Sequence, residues 1–370
     1  MPNQVEPTLS TYLHSRGGKL GLPIGGTFEL TPRCNFDCPM CYVHRKENDA
    51  DARSRELTTQ QWISLAQQAT DAGMVFALLT GGEPFLRKDF FEIYSAMKKM
   101  GLLLSINTNG SMLRGPILEK LIADPPYRVN VTLYGGSNDT YRNMCGLPVF
   151  DTVVENIRAL KQAGVDVRLN VSITPHNRQD VEKIFDISRQ LDVHAKASTY
   201  MYPPIRLDGD CGHRLSPEEA GELAARWDKL RLPEEDFNVR AEALCRFIRT
   251  EPRECDVDME EGVSCRAGSS SFWLTWDGRM MPCGMMTDPQ VLPLEVGFQT
   301  AWQQLMQATR QIRLPSECAA CPKREICSVC AAVTVAETGR FDQVPPYVCK
   351  MTDANLTAMA RLRTDKENNL

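Results

Sequence analysis

The chain has 370 residues, of which 42% are hydrophobic, and its formal net charge at pH 7 is −5. This length exceeds that of a usual single domain and allows one large and one smaller domain, with a substantial core. The sequence has no long basic run, which excludes a general binder of nucleic acids or membrane surfaces. It also has no apolar stretch of transmembrane length and no secretory signal, so a cytoplasmic protein is predicted.

The 14 cysteines are the most unusual feature of the composition. Three lie within residues 34–41 and seven within residues 265–349. Because disulfides are disfavoured in the reducing cytoplasm, metal ligation is the better explanation for so many thiols.

Short apolar runs alternate with amphipathic helical patterns over the first two-thirds of the chain, which is typical of repeated βα units. Six strands are predicted, at residues 27–31, 75–80, 103–107, 129–133, 167–173 and 193–201. The pattern therefore predicts an α/β fold with a parallel sheet curved towards a barrel. Function in such sheets lies at the carboxyl ends of the strands.

Helix signals separate these strands. Thr58 and Gln61 form a capping-box pattern in front of an apolar helix face. Asp151 is predicted to cap a helix that ends at Gly164. Further helices are predicted over residues 90–100, over residues 181–188, from Ser216 and near Glu234.

The alternation ends in a bridging segment that is rich in proline and polar residues. Beyond the bridge, Asp277-Gly278 between two short apolar runs predicts a β-hairpin. A helix is predicted over residues 300–312, with Thr300 and Gln303 as its capping box. The predicted units are an N-terminal extension (1–24), a barrel (25–203), a bridge (204–262), a cysteine-rich α+β domain (263–355) and a tail (356–370).

The first cysteine group follows the first predicted strand. It reads Cys34-Asn-Phe-Asp-Cys38-Pro-Met-Cys41, a C-x3-C-x2-C spacing. Three thiolates on one loop are suited to three irons of a [4Fe–4S] cubane, whose fourth iron stays open for a non-protein ligand. The alternative is a zinc site, but structural zinc prefers four protein ligands in paired C-x2-C form.

This loop resembles the signature of the radical S-adenosylmethionine (SAM) superfamily. The resemblance implies that the open iron binds SAM and that an electron from the cluster cleaves SAM to a 5′-deoxyadenosyl radical. That radical would abstract a hydrogen atom from the substrate. Met40 occupies a position that is often aromatic in the family. A second family element, Gly81-Gly82-Glu83-Pro84 after the second strand, is implied to recognise the amino group of SAM.

Other family positions give weaker signals. Asn109 follows the third strand, and Thr132 in the fourth strand is implied to contact the SAM ribose. Arg142 has two interpretations. Its guanidinium either forms two hydrogen bonds with the SAM carboxylate or is exposed to solvent on the surface. Three lone thiols are either hydrogen-atom donors or small buried side chains, namely Cys145, Cys211 and Cys245.

The C-terminal cysteines resemble the SPASM domain, which binds auxiliary [4Fe–4S] clusters. The whole fold is then a partial (β/α)6 TIM-like barrel with a small cysteine-rich α+β SPASM domain. By position, one auxiliary cluster would use Cys265, Cys283 and Cys330, with Cys255 as a fourth ligand or an open site. The other would use Cys318, Cys321, Cys327 and Cys349. The alternative is a pair of structural zinc sites.

Relatives with this pair of domains mostly modify peptides or proteins. We therefore predict an enzyme that crosslinks or oxidises a ribosomally made precursor peptide, with flavodoxin or ferredoxin as reductant. The first strand starts near residue 27, so leader recognition would need a separate protein or another mode. Gly284 stands where anaerobic sulfatase maturases carry an aspartate base, which disfavours that activity.

Two alternatives stay open. The same chemistry would act on a small molecule such as a tetrapyrrole carboxylate or a sugar. In the other, the chain is a non-catalytic metal-binding scaffold that holds zinc and does not cleave SAM.

Overall fold

The computed structural model describes residues 8–206, 213–249 and 261–364. Cys211 and Cys255 lie outside the described residues. The strands are β1 (Gly25–Glu29), β2 (Arg33–Cys34), β3 (Arg45–Lys46), β4 (Phe76–Thr80), β5 (Leu103–Thr108), β6 (Arg128–Thr132), β7 (Val167–Ser172), β8 (Ala195–Ser198), β9 (Ser271–Leu274) and β10 (Met280–Met281).

The helices alternate with these strands and then dominate the C-terminal part. They are α1 (Leu9–Leu20), α2 (Ala50–Arg55), α3 (Thr59–Asp71), α4 (Phe90–Lys99), α5 (Pro116–Ala123), α6 (Asn138–Cys145), α7 (Phe150–Gln162), α8 (Val181–Gln190), α9 (Pro217–Arg231), α10 (Glu234–Cys245), α11 (Pro293–Val296), α12 (Phe298–Arg310), α13 (Ser316–Ala319), α14 (Ala331–Thr338) and α15 (Pro346–Leu362). None of the described helices is long and apolar enough to cross a membrane.

One sheet of eight strands, in the order β10-β9-β1-β4-β5-β6-β7-β8, organises the molecule. Strands β1 and β4 to β8 are parallel and coincide with the six predicted strands, although β1 ends at Glu29 and β8 is only four residues long. The predicted hairpin adds to this sheet, because β9 pairs in parallel with β1 and β10 pairs antiparallel with β9. The α/β class is therefore confirmed, and the C-terminal region extends the sheet of the barrel.

Local signals explain most helix starts. In α3 the predicted capping box is present, with the Thr58 side chain and the Gln61 side chain each accepting from the other's backbone amide. Trp62 and Leu65 then face the core, where both are fully buried. The capping box of α9 forms between Ser216 and Glu219. A reciprocal box of this kind satisfies two amide groups that would otherwise lack partners at a helix start.

Two predicted caps are wrong. Helix α7 begins at Phe150, and Asp151 lies in its first turn, where its carboxylate accepts a 2.6 Å bond from the Asn138 side chain.

Helix α12 begins at Phe298, so the expected capping box at Thr300 does not form. Phe298 is buried and its amide bonds to the Gln68 side chain of α3, which fixes an earlier start through tertiary contact.

The bridge and the C-terminus pack together. Helix α15 lies along α9 so closely that a Cβ on Gly221 would stand 2.4 Å from the Met351 carbonyl oxygen. Asn355 donates a 3.1 Å bond to the Gly221 carbonyl across the same contact. Helix α15 thus continues past residue 355, where a tail was predicted to begin.

Candidate active site

The three cysteines of the first loop line one cavity of about 230 Å³, which we call the cysteine cavity. Its opposite wall comes from the carboxyl ends of four neighbouring strands, with Thr80, Asn107, Thr132 and Ser172. In open parallel sheets this edge is where ligands bind, since loops from several strands converge there.

The loop that carries the cysteines is fixed at its base. The Arg33 guanidinium forms two bonds, of 2.7 and 3.1 Å, with the buried Glu56 carboxylate. The short β2–β3 pairing then brings the two ends of the loop together, with Arg33 opposite Arg45. The amide of Asp37 donates to the Cys145 carbonyl at 3.0 Å and ties the middle of the loop to α6. The sequence between Cys34 and Cys41 is therefore held as a rigid turn.

Burial controls the electrostatics of these thiols. It raises the pKa of Cys34 to about 12, and it also raises the pKa values of Cys38 and Cys41. A thiol in such surroundings loses its proton only when a positive charge compensates the thiolate, and metal ions supply that charge. Two donors already point at the Cys34 sulfur, the Phe36 amide at 3.4 Å and the Asn109 side chain at 3.7 Å. Hydrogen bonds to cysteine sulfurs are the usual surroundings of an iron–sulfur cluster. The donor set therefore fits a cluster.

The Gly-Gly-Glu-Pro segment crosses directly behind this loop. The Gly82 amide donates to the Thr31 carbonyl at 2.8 Å, and a Cβ on Gly82 would stand 2.4 Å from the Arg33 carbonyl oxygen. Gly81 has φ +150° and is equally crowded, because a Cβ there would stand 2.3 Å from the Thr31 carbonyl oxygen. Only glycine allows the backbone to approach this closely.

Glu83 is fully buried and holds this segment against the end of β5. Its carboxylate accepts bonds from the Thr108 hydroxyl at 2.9 and 3.0 Å and from the Asn109 amide at 2.9 Å. Burial raises the pKa of Glu83 to about 7. Glu83 is absent from the lining of the cysteine cavity, so in this structure it acts as a positioning residue. Pro84 begins the short 3-10 turn that follows.

The predicted SAM contacts divide into two groups. Met40, Gly81, Gly82, Asn109 and Thr132 line the cysteine cavity. Glu83, Pro84 and Arg142 lie outside that lining.

Arg142 lies on the surface of α6 with 56% of its side chain exposed, and it pairs with Asp139 at 2.7 Å.

Two of the three lone thiols lie among the described residues. Cys145 is buried and its thiol donates to the Tyr141 carbonyl at 3.0 Å, whereas Cys245 is half-buried at the end of α10.

A buried ion pair beside the cavity was not predicted. Glu29, at the end of β1, is fully buried and accepts two bonds of 2.8 and 2.9 Å from Arg206. It also accepts a 3.0 Å bond from the indole N–H of Trp273 in β9. Arg206 donates to the Gly284 carbonyl at 2.8 Å and stacks on the Tyr42 ring. This network joins the cysteine loop, the bridge and the C-terminal hairpin.

The strand sequences held a signal for the inner face of the barrel. Glu29, Asn107 and Ser172 lie near the carboxyl ends of parallel strands, and each shares its face with another polar residue, namely Thr27, Ser105 and Asn170. Polar residues at such positions point to the inner face of a barrel. The pairing of Glu29 with Arg206 had no signal, because the partners are far apart in the chain.

The C-terminal cysteines fall into two groups. Burial raises the pKa of Tyr202, and the thiols of Cys330, Cys283 and Cys265 all lie close enough to add to this rise. Burial raises the pKa of Cys283 to about 11, and the neighbouring thiols of Cys330 and Cys265 add to this rise. These three residues are the set that the SPASM resemblance implied for one cluster.

The second group collects Cys318, Cys321, Cys327 and Cys349. Burial raises the pKa of Cys318 to about 12, with further contributions from Cys349, Cys327 and Cys321. The structure thus brings both predicted sets together, and their roles as ligands stay a prediction. Across residues 8–206, 213–249 and 261–364, no three His, Cys, Asp or Glu side chains form a site for a single metal ion.

A parallel βα sheet whose first strand leads into three thiols that line one cavity is the arrangement expected of a cluster-binding enzyme of the partial-barrel type. Residues 28–187 match the family model of the Radical SAM superfamily. These residues therefore form a radical SAM domain, and the chain is a radical SAM enzyme with a cysteine-rich C-terminal region. A domain of this kind implies a [4Fe–4S] cluster and SAM.

Two kinds of relatives share sequence with the chain. An AdoMet-dependent heme synthase from Methanosarcina barkeri is 25% identical over 338 residues, which span 86% of this chain and 94% of the relative. A probable GTP 3′,8-cyclase from Saccharolobus solfataricus is 34% identical over 167 residues, which span 45% of this chain and 53% of the relative. The first similarity therefore covers nearly the whole chain and the second about half.

Solved structures share the fold at low identity. SuiB from Streptococcus suis matches with a TM-score of 0.64 and 16% identity, over 90% of this chain and 80% of SuiB. The anSMEcpe structure with bound AdoMet matches with a TM-score of 0.65 and 16% identity, over 92% of this chain and 98% of that chain. These matches confirm the architecture across both the barrel and the C-terminal region.

Proposed function

We propose that this radical SAM enzyme oxidises or crosslinks a peptide or protein substrate inside the barrel. We further propose that the two C-terminal cysteine groups hold auxiliary [4Fe–4S] clusters. One observation carries the oxidative interpretation. Arg206 links the two regions, because it stacks on Tyr42, the residue after Cys41, and donates to the carbonyl of Gly284, the residue after Cys283. A substrate between the two groups would have an electron acceptor close by.

The residues that would hold the cofactors are those of the cysteine cavity. Cys34, Cys38 and Cys41 would ligate the first cluster, and the backbone at Gly81 and Gly82 would contact SAM. When bound, the cluster and SAM together supply hydrogen-atom abstraction from the substrate. A flavodoxin or ferredoxin is the proposed reductant.

The protein itself supplies position and polarity. Asn107 accepts a 2.8 Å bond from Asn130 across neighbouring strands, so the inner face keeps ordered amide groups. Glu29 and Arg206 form a buried pair there, and a well-bonded pair of this kind resists rearrangement when substrate enters. These groups orient a polar substrate and limit free water around the reacting atoms.

Structures with bound peptides support the peptide substrate. SuiB bound to its precursor peptide SuiA matches the chain with a TM-score of 0.61. The anSMEcpe structure with AdoMet and the Cp18Cys peptide matches with a TM-score of 0.64.

We exclude the sulfatase-maturing reaction from the proposal. A Cβ on Gly284 would stand 2.6 Å from the Trp273 ring, so this position has no room for an aspartate base.

A carboxylated tetrapyrrole is the second candidate substrate. The specific observation in its favour is the alignment with the AdoMet-dependent heme synthase, which spans 94% of that relative. Both candidates use the same cysteine cavity, so they differ only in what enters the barrel.

Anaerobic reconstitution tests the shared part of the proposal. We expect about twelve irons and twelve sulfides per chain for three cubanes, with dithionite-dependent release of 5′-deoxyadenosine. A colourless zinc protein without that release would instead support a non-catalytic scaffold.

Mass spectrometry separates the two substrates. Short peptides encoded beside the gene would be co-expressed with the enzyme, and iron-coproporphyrin III would be incubated with it in a parallel reaction. Loss of two hydrogens from a peptide supports the first candidate, and loss of carbon dioxide together with two hydrogens from the tetrapyrrole supports the second. If neither compound changes mass while SAM is cleaved, both substrate proposals are wrong.

A further inference from the structure

A second cavity, of about 420 Å³, lies beside the cysteine loop, and we call it the arginine cavity. Four arginines line it, Arg45, Arg55, Arg206 and Arg279, against the single carboxylate of Asp277. Val43 lines both this cavity and the cysteine cavity, so the two are neighbours. A ligand in the arginine cavity would therefore lie next to the place where SAM is proposed to bind.

The positive charge of this lining is only partly compensated. Arg279 pairs with Asp277 at 3.1 Å, and Arg55 pairs with Asp51 in an exposed contact of 2.8 Å. Arg45 is exposed and has no ion-pair partner among the residues that the structure describes. A cleft lined mainly by one sign of charge attracts ligands of the opposite sign.

The inner end of the cavity is formed by a buried guanidinium. The Arg206 side chain is only 7% exposed, and although Glu29 takes two of its N–H groups, its Nε is buried without a hydrogen-bond partner in the described part of the chain. At the outer end the Arg55 guanidinium stacks over the Trp276 ring at 5.0 Å. The cavity thus has guanidinium groups at both ends. Guanidinium groups match carboxylates with paired bonds, and a stacked arginine keeps its donors free at its edge.

We propose that the arginine cavity binds a carboxylate of the substrate and anchors the substrate beside the cysteine cavity. The proposal rests on the radical SAM function proposed above, and it names the chemical class of group that the enzyme recognises. The cavity is concave and lies within the usual size of small-ligand sites, which favours a small carboxylate group over a protein docking surface. The carboxylate belongs to an acidic or C-terminal residue of a peptide, or to a tetrapyrrole side chain.

The binding test uses benzene-1,3,5-tricarboxylate as the probe and the neutral benzene-1,3,5-tricarboxamide as its control. Binding to the reconstituted enzyme would be followed by tryptophan fluorescence, since Trp276 lines the cavity. We expect saturable binding of the tricarboxylate that weakens with added salt, and no binding of the amide.

Two variants connect this binding to the cavity. Arg45→Gln should lower the affinity for the tricarboxylate about tenfold or more, which is the usual scale for losing a charge-assisted hydrogen bond. Arg45→Lys should lower this affinity less. Arg158→Gln, an exposed arginine on α7, is the matched control and should bind as the wild type does. Equal affinity in the Arg45→Gln and wild-type enzymes, or equal weakening in the Arg158→Gln variant, would overturn the proposal.

Competition identifies the source of the carboxylate. A pentaglutamate peptide and coproporphyrin III would each be titrated against the bound tricarboxylate. If one of the two compounds displaces the tricarboxylate, the result supports the anchoring role and identifies the source of the carboxylate. If neither compound displaces it, the proposal is overturned. Failure of the proposed function is seen separately, as absence of 5′-deoxyadenosine release from the wild-type enzyme.

Discussion

The two cysteine-bearing regions of this enzyme assemble their thiols in different ways. The N-terminal loop carries all three of its thiols within one turn, between Cys34 and Cys41, and the β2–β3 pairing closes that turn. The C-terminal groups draw cysteines from α13, from α15 and from several loops. A local site depends on short-range spacing, whereas a dispersed site depends on the packing of whole elements. The N-terminal site should therefore tolerate the loss of a ligand in the C-terminal groups.

The largest effect is expected from Cys38→Ala. Loss of one of three thiolates would leave an iron of the first cluster without its ligand, so 5′-deoxyadenosine release should fall to background. About four irons per chain should be lost as well. Iron analysis and chromatography of the SAM products measure both effects. Cys245→Ala, at the end of α10, is the control and should keep the iron and SAM cleavage, and a Cys38→Ala enzyme that still cleaves SAM would disprove the cluster assignment.

Cys321→Ala tests the other half of the comparison. This change should also remove about four irons, because it deletes one of four proposed ligands. SAM cleavage without substrate should stay within about threefold of the wild type, since the two sites share no ligand. Substrate oxidation should be lost. If SAM cleavage falls as far as in Cys38→Ala, the two regions are not independent.

Gly82→Ala should have an intermediate effect on SAM binding. The added Cβ would meet the Arg33 carbonyl oxygen at 2.4 Å, so the backbone at the cysteine cavity must shift. A shift of that kind should raise the Kd for SAM about tenfold or more, as measured by equilibrium dialysis. Gly18→Ala in α1, where the nearest atoms lie at 3.8 Å, should leave the Kd unchanged. Equal Kd values for all three proteins would show that this backbone does not contact SAM.

The smallest effect concerns the seam between α1 and β9. His14 bonds to Ser270 at 3.1 Å, and burial, followed by the charge of Arg266, lowers its pKa to about 4. The unfolded chain therefore binds the proton more readily, so this group's contribution to stability is full above pH 6.5 and is lost as the pH falls towards 4.

His14→Gln should remove that pH dependence. Between pH 7.5 and pH 5, the free energy of unfolding should fall by about 1 kcal/mol less in the variant than in the wild type, measured in urea. His194→Gln, at an exposed position, should behave as the wild type. An unchanged slope for His14→Gln would mean that the His14 ring takes up a proton as readily in the folded protein as in the unfolded chain.

Short-range patterns in the sequence were enough for the barrel and for its first site. Alternation of apolar runs and amphipathic helices located the six strands of the barrel, and the spacing from Cys34 to Cys41 indicated one shared site. Both depend on neighbours in the chain, so the residues themselves carry the information. The wrong caps at Asp151 and Thr300 show the limit of this approach, since a contact with Gln68 moved the start of α12.

Tertiary structure alone decided what lies around that site. The sequence had marked Asp277-Gly278 as a hairpin, but only the fold placed the hairpin beside β1 and so brought Trp273 to Glu29. The pairing of Glu29 with Arg206 and the gathering of four arginines into one cavity likewise join distant segments. Such contacts form because buried charges need partners and apolar faces need cover, and the partner is chosen by packing in three dimensions rather than by spacing along the chain.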